Sequence, residues 1–84
     1  MIPHFIQRQH VLQAIADVDA HGFPDYRQPT RYDLLHAGRR YPPKYLVTLA
    51  CRYATGAEIP AIQFNGGAET NEYLGRLGFE IVNK

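Results

Sequence analysis

The 84-residue sequence has no tryptophan, one methionine and a single cysteine, Cys51. One cysteine can form neither an intrachain disulfide nor a cysteine-based zinc cluster. No apolar run approaches the roughly 20 residues that span a bilayer, and no signal-peptide pattern follows Met1. The sequence therefore predicts a cytoplasmic chain with no membrane partner. Residues 1–84 suffice for one domain with a modest hydrophobic core.

Motifs of known catalytic sites are also missing. The sequence has no two-histidine zinc motif, no GxSxG elbow and no Walker loop, and its four histidines lack metal-site spacing. These histidines are His4, His10, His21 and His36. Asp17 and Asp19 are expected to point to different sides of a helix as solvated charges, so they form no catalytic pair. We expect no enzymatic activity, catalytic residue, metal or cofactor.

The first half of the chain shows one helix and one hairpin. Apolar residues recur at helical spacing over about residues 7–21, and Gly22 supplies the end of that helix. Two short runs, Tyr32–His36 and Arg39–Tyr41, flank Ala37 and Gly38 and predict a two-stranded ribbon. Ala37 stands where asparagine would be the easier turn residue.

A second helix is predicted over Pro43–Thr55, because proline suits the first helical position and Gly56 follows the last turn. One set of positions recurs at helical spacing and predicts the buried face. They are Leu46, Leu49, Ala50 and Tyr53. A second set at fourfold spacing predicts a face available for ligand contact. They are Lys44, Thr48 and Arg52. Cys51 is expected to be a small buried residue rather than a nucleophile.

The last part of the chain predicts a third helix and a strand. The helix carries Tyr73, Leu74 and Leu77 and ends at Gly78, and residues 79–82 alternate as a strand does. The expected order is helix, strand, strand, helix, helix, strand. These elements predict a single α+β domain with a three-stranded antiparallel sheet.

Charge is distributed unevenly along the chain. Six cations against Asp33 alone give residues 27–52 a local balance of +5, although the whole chain carries only +1. These cations are Arg27, Arg31, Arg39, Arg40, Lys44 and Arg52. Five of the six tyrosines lie in or beside the same region, and basic groups interleaved with aromatic rings suit a nucleic acid. The alternative is that the tyrosines belong to the core and the arginines to an ordinary solvated face.

Four segments carry a family resemblance that extends over nearly the whole chain. They are IQRQHVLQAI (6–15), RYPPKY (40–45), FNGGAETN (64–71) and LGFEIV (77–82). With these segments the sequence resembles the N-terminal head domain of McrA-like modification-dependent (type IV) restriction endonucleases. In such proteins the head precedes domains that read modified DNA and a C-terminal HNH nuclease domain.

The resemblance implies a non-catalytic N-terminal domain that binds double-stranded DNA, modified or unmodified, in a restriction system that defends against phage. The predicted DNA-binding residues are Arg27, Arg31, Arg39, Arg40, Tyr41, Lys44, Tyr45 and Arg52. The cations would contact phosphates, while the two tyrosines would stack or pack on sugars. The alternative is a docking or dimerisation module whose partner is another domain of the nuclease or a second copy of the chain.

Overall fold

The computed structural model describes residues 6–23, 32–57 and 68–83 of the chain. The elements are α1 (Arg8–His21), β1 (Tyr32–His36), β2 (Arg39–Tyr41), α2 (Pro43–Thr55), α3 (Ala68–Arg76) and β3 (Glu80–Asn83). The structure thus confirms the order of elements and the α+β class that the sequence predicts. The loop expected before β1 and the segment that enters α3 lie largely outside the described residues.

The sheet has the strand order β2-β1-β3, and β1 is antiparallel to both neighbours. Leu34 pairs with Tyr41 on one side and with Ile81 on the other. These three residues share one face of the sheet, because side chains alternate along a strand. Leu34 and Tyr41 are buried and Ile81 packs against the same cluster, so this face is the one that covers the core.

Helix α2 is the most enclosed element. Its residues 46–51 are all buried, since α1, α3 and β1 pack against different sides of the helix. Thr48 is only 2% exposed and donates a hydrogen bond from its hydroxyl to the Lys44 carbonyl, 3.2 Å away. Cys51 is buried, as expected.

Two assignments to the faces of α2 are therefore wrong. Thr48 is not on a contact face, because a helix packed on several sides buries more than one stripe of residues. Tyr53, predicted to face the core, is 39% exposed in the last turn of the helix. Its hydroxyl instead donates a hydrogen bond to Asp17 on α1.

The ends of α1 are fixed by local hydrogen bonds. At the N-terminus, the Gln7 backbone N–H donates to Nδ1 of His10 at 2.9 Å. The histidine ring thus satisfies the N–H of the residue before the helix, as the glutamate of a capping box does. At the C-terminus, the Gly22 N–H donates to the Val18 carbonyl at 2.8 Å. Gly22 has a φ of 73°, a value that glycine adopts at little cost.

Two contacts tie α3 and the following turn to the beginning of α1. The Tyr73 hydroxyl donates to the Ile6 carbonyl at 2.9 Å, and burial raises the pKa of Tyr73. Arg8 donates to the Leu77 carbonyl at 2.9 Å and places its guanidinium 4.4 Å from the centre of the Phe79 ring. Arg8 thus joins α1 to the junction between α3 and β3 by a hydrogen bond and a cation–π contact.

The hairpin turn places two residues in the left-handed region. Ala37 has a φ of 53° and Gly38 a φ of 79°, and two positive values at the central residues define a type I′ turn. A type I′ turn matches the twist of the strands that flank it. Ala37 adopts its φ at an energetic cost, because its Cβ crowds the backbone there.

Replacing Ala37 by asparagine should stabilise the protein, since asparagine tolerates the left-handed region. We expect Ala37→Asn to raise the free energy of unfolding by about 0.5 to 1 kcal/mol. Urea unfolding would measure the change. Ala37→Val is the matched control and should destabilise, because a β-branched residue fits this conformation poorly. Equal stability of the two variants would contradict a type I′ turn.

Gly78 should be intolerant of a side chain. Its φ is 92°, and a Cβ at this position would lie 2.7 Å from Nη1 of Arg8, the atom that donates to Leu77. We expect Gly78→Ala to lower the free energy of unfolding by about 1 to 2 kcal/mol. Gly75→Ala is the control, because a Cβ on this helical glycine meets no atom within 4 Å. A melting temperature of Gly78→Ala equal to or higher than that of Gly75→Ala would contradict this account.

Candidate nucleic-acid interface

The two arginines at the hairpin tip lie on opposite faces of the ribbon, because adjacent residues of a strand alternate. Nη1 of Arg39 is 3.2 Å from Oδ1 of Asp19 on α1. Nη1 of Arg40 is 3.2 Å from Oδ2 of Asp33 and also 3.2 Å from the Asn83 carbonyl oxygen. Their side chains are 69% and 55% exposed, so both remain accessible to a ligand.

Tyr41 lies beneath the hairpin and belongs to the core. It is 4% exposed, and its hydroxyl donates to Oδ1 of Asp19 at 2.7 Å. Burial and this hydrogen bond to a carboxylate raise the pKa of Tyr41. The ring therefore supports the hairpin from below, and its hydroxyl holds the carboxylate that Arg39 contacts.

The other predicted contacts on α2 are separated along the helix. Lys44 and Tyr45 are half-buried in the first turn, and the ring centroid of Tyr45 is 6.3 Å from that of Phe23. Arg52 lies two turns further on, where its Nη2 is 2.6 Å from Oδ2 of Asp17. Arg27 and Arg31 lie outside the described residues.

Asp17 is the centre of a polar cluster at the C-terminal ends of α1 and α2. Its Oδ1 is 3.0 Å from Nδ1 of His21, and its Oδ2 accepts hydrogen bonds from Arg52 and, at 3.1 Å, from Tyr53. Burial acts to raise the pKa of Asp17, but the hydrogen bonds from His21 and Tyr53 and the charge of Arg52 outweigh it. The pKa of Asp17 is therefore lowered.

The interpretation of Asp17 as a solvated charge is wrong, because it accepts hydrogen bonds from residues distant in sequence and its side chain is only 16% exposed. Asp19 is exposed, as expected, although it too accepts hydrogen bonds from distant residues. One sequence signal was available: the two aspartates flank Val18, a core residue of α1, and so lie at the border of its buried face. Their partners depend on how α1 packs on the hairpin and on α2, which the periodicity of α1 does not specify.

These carboxylates change the electrostatics expected from the sequence. The balance of +5 counts residues 27–52 alone, but α1 brings two carboxylates to the arginines of that region, and Asp33 pairs with a third. Arg39, Arg40 and Arg52, the arginines of this region that the structure describes, are therefore each paired with a carboxylate. A guanidinium has five N–H donors, so Arg39 and Arg40 can also contact a ligand at the hairpin tip.

Within residues 6–23, 32–57 and 68–83, no group of three or more histidine, cysteine, aspartate or glutamate side chains is placed to hold a metal ion. No helix among these residues is both long and apolar enough to cross a membrane.

The fold and the surface thus define a small α+β domain with arginines at the tip of a hairpin. The family model described as "ScoMcrA-like, N-terminal head domain" matches residues 4–83, and the chain belongs to this family. It is an N-terminal domain of the restriction-system type, as the four sequence segments predicted. Searches of curated proteins and of solved structures each give no significant match.

The cluster around Asp17 should make stability dependent on pH in acid. Because the folded protein lowers the pKa of Asp17, the ionised carboxylate stabilises the fold above its ordinary pKa of 3.8. This stabilisation is lost as the pH falls through the lowered value. We expect Asp17→Asn to cost about 1 to 2 kcal/mol near neutral pH and much less in strong acid.

Urea unfolding of Asp17→Asn and the parent at several pH values would show whether their difference in the free energy of unfolding becomes smaller in acid. Glu72→Gln is the control, since the exposed Glu72 pairs only loosely with Arg76, at 3.7 Å, and should leave the pH profile unchanged. A constant difference between parent and Asp17→Asn at all pH values would contradict the role given to Asp17.

Proposed function

We propose that the chain is a non-catalytic DNA-binding domain of a modification-dependent restriction endonuclease that acts in the cytoplasm against phage. Its ligand is double-stranded DNA, modified or unmodified. Membership of the head-domain family supports the restriction context. The hairpin with its two exposed arginines supports the choice of DNA as ligand.

The observation that carries the proposal is the placement of Arg39 and Arg40 on opposite faces of one tightly turned ribbon. The type I′ turn fixes the tip, and β1 is paired on both sides, so the two arginines belong to a rigid ribbon. The major groove of B-DNA admits a two-stranded ribbon. An arginine on each face would then meet a different phosphate strand at the two walls of the groove.

The other predicted residues contribute to DNA binding to different extents in this proposal. Lys44 and Arg52 on α2 add phosphate contacts, and we assign the same role to Arg27 and Arg31, which lie outside the described residues. Tyr45 is half-buried, so only part of its side chain can contact a sugar. Tyr41 acts indirectly, because its buried ring supports β2.

A docking module is the second candidate, and the surface of α1 favours it. Leu12 and Tyr53 are the exposed large apolar residues of the described chain. Ala16 and Ala20 line an open groove between α1 and α2 beside Tyr53. Asp17, His21 and Arg52 line the same groove, so a partner domain that covers it would bury apolar area beside charges that are already paired with one another.

DNA binding by single and double arginine variants distinguishes the two candidates. We expect Arg39→Ala and Arg40→Ala each to weaken binding to duplexes of any sequence and to reduce the slope of log affinity against log salt by about 0.9. The double variant should lose about twice that slope. Fluorescence anisotropy at several salt concentrations measures both quantities.

Arg76→Ala is the matched control, because Arg76 is as exposed as Arg39 and also pairs with one carboxylate, but lies on α3. It should leave binding nearly unchanged. Arg39→Ala should melt close to the parent, because the exposed pair of Arg39 and Asp19 contributes little to stability. Arg40→Ala and the double variant should melt at lower temperature, because loss of Arg40 leaves the buried Asp33 carboxylate without its arginine. Binding is therefore compared at a temperature well below every melting transition. If the double variant binds every duplex as well as the parent, the DNA proposal fails and the docking module replaces it.

A further inference from the structure

Asp19 is held in a fixed position against Arg39. Its Oδ1 accepts a hydrogen bond from the Tyr41 hydroxyl at 2.7 Å and a second from Nη1 of Arg39 at 3.2 Å. Tyr41 is anchored in the core, so it positions this carboxylate oxygen before any ligand arrives. Arg39 therefore already contacts an anionic oxygen, as it would in a complex with a DNA phosphate.

The ion pair between Asp19 and Arg39 is suited to exchange. Both side chains are at least 40% exposed, and exposed ion pairs contribute little to stability, so a phosphate can displace the carboxylate from the guanidinium. The displaced carboxylate remains nearby, because Tyr41 still holds it. Its negative charge then opposes the phosphate.

The two other carboxylates that pair with predicted DNA-binding arginines are less suited to this role. Asp33 is buried in β1 and Asp17 is largely enclosed by His21, Arg52 and Tyr53. Removal of either would disturb packing as well as charge. Asp19 is the one of the three that is accessible and positioned at the hairpin tip.

We infer, in a step that rests on the proposed DNA-binding function, that Asp19 competes with DNA phosphate for Arg39 and so sets the affinity of the hairpin tip for DNA. Phosphate contacts are independent of sequence. Asp19 therefore lowers affinity for every duplex by a similar factor and leaves the ratio of affinities between two duplexes unchanged.

The test is a gain of affinity in Asp19→Asn, which removes the charge and keeps an oxygen for the Tyr41 hydroxyl. We expect this variant to bind a short unmodified duplex about three- to tenfold more tightly at low salt, with a steeper salt dependence. Glu72→Gln is the matched control, because it changes the net charge by the same amount on α3. It should alter affinity less than twofold.

The double variant Arg39→Ala with Asp19→Asn tests whether the effect passes through Arg39. In the Arg39→Ala background, Asp19→Asn should give no more gain than Glu72→Gln. Asp19→Ala removes the charge without placing a side-chain amide beside Arg39 and should give the same direction of change. Binding by Asp19→Asn equal to that of Glu72→Gln would overturn the inference, even where Arg39→Ala still weakens binding and the DNA-binding function stands. Failure of the parent and of Asp19→Asn alike to bind any duplex would overturn both.

Discussion

Helix α2 is enclosed by other elements, and its enclosure sets where those elements lie. Six consecutive residues, 46–51, are buried because α1, α3 and β1 each pack against a different side of this helix. Their packing supplies much of the apolar burial that a domain of 84 residues has available. Even Thr48 is accommodated, since its hydroxyl bonds to a carbonyl of its own helix. Elements that hold α2 in place therefore also determine where the charged side chains meet.

The packing of α1 on α2 and the hairpin determines the electrostatics of the surface. It brings Asp17 to Arg52 and Asp19 to Arg39, pairs separated by 35 and 20 residues in sequence. Arg39, Arg40 and Arg52 count as unbalanced charge along the chain, but in the fold each is paired with a carboxylate. Arginines paired in this way bind a polyanion less strongly than unpaired ones, because the carboxylate competes with the phosphate.

The two proposed functions use different parts of this surface. DNA would contact the hairpin tip, where arginines lie on both faces of the ribbon. A protein partner would cover the groove beside Tyr53, where small apolar residues of α1 are exposed. Asp19 bonds to Arg39 at the hairpin, whereas Asp17 bonds to Arg52 at the groove. Arg52 belongs to both surfaces, because it is a predicted phosphate contact and also lines the groove.

Local signals in the sequence predict the helices, the strands and their order, because periodicity, glycine stops and proline positions act over a few residues. Gly22, Pro43 and Gly56 lie at the helix ends where the sequence predicts them. The burial of Thr48 and the exposure of Tyr53 depend on how many neighbours cover α2, which no local signal reports. The partners of Asp17 and Asp19 likewise follow from packing, because an ion pair between distant residues requires helices to pack in one particular orientation.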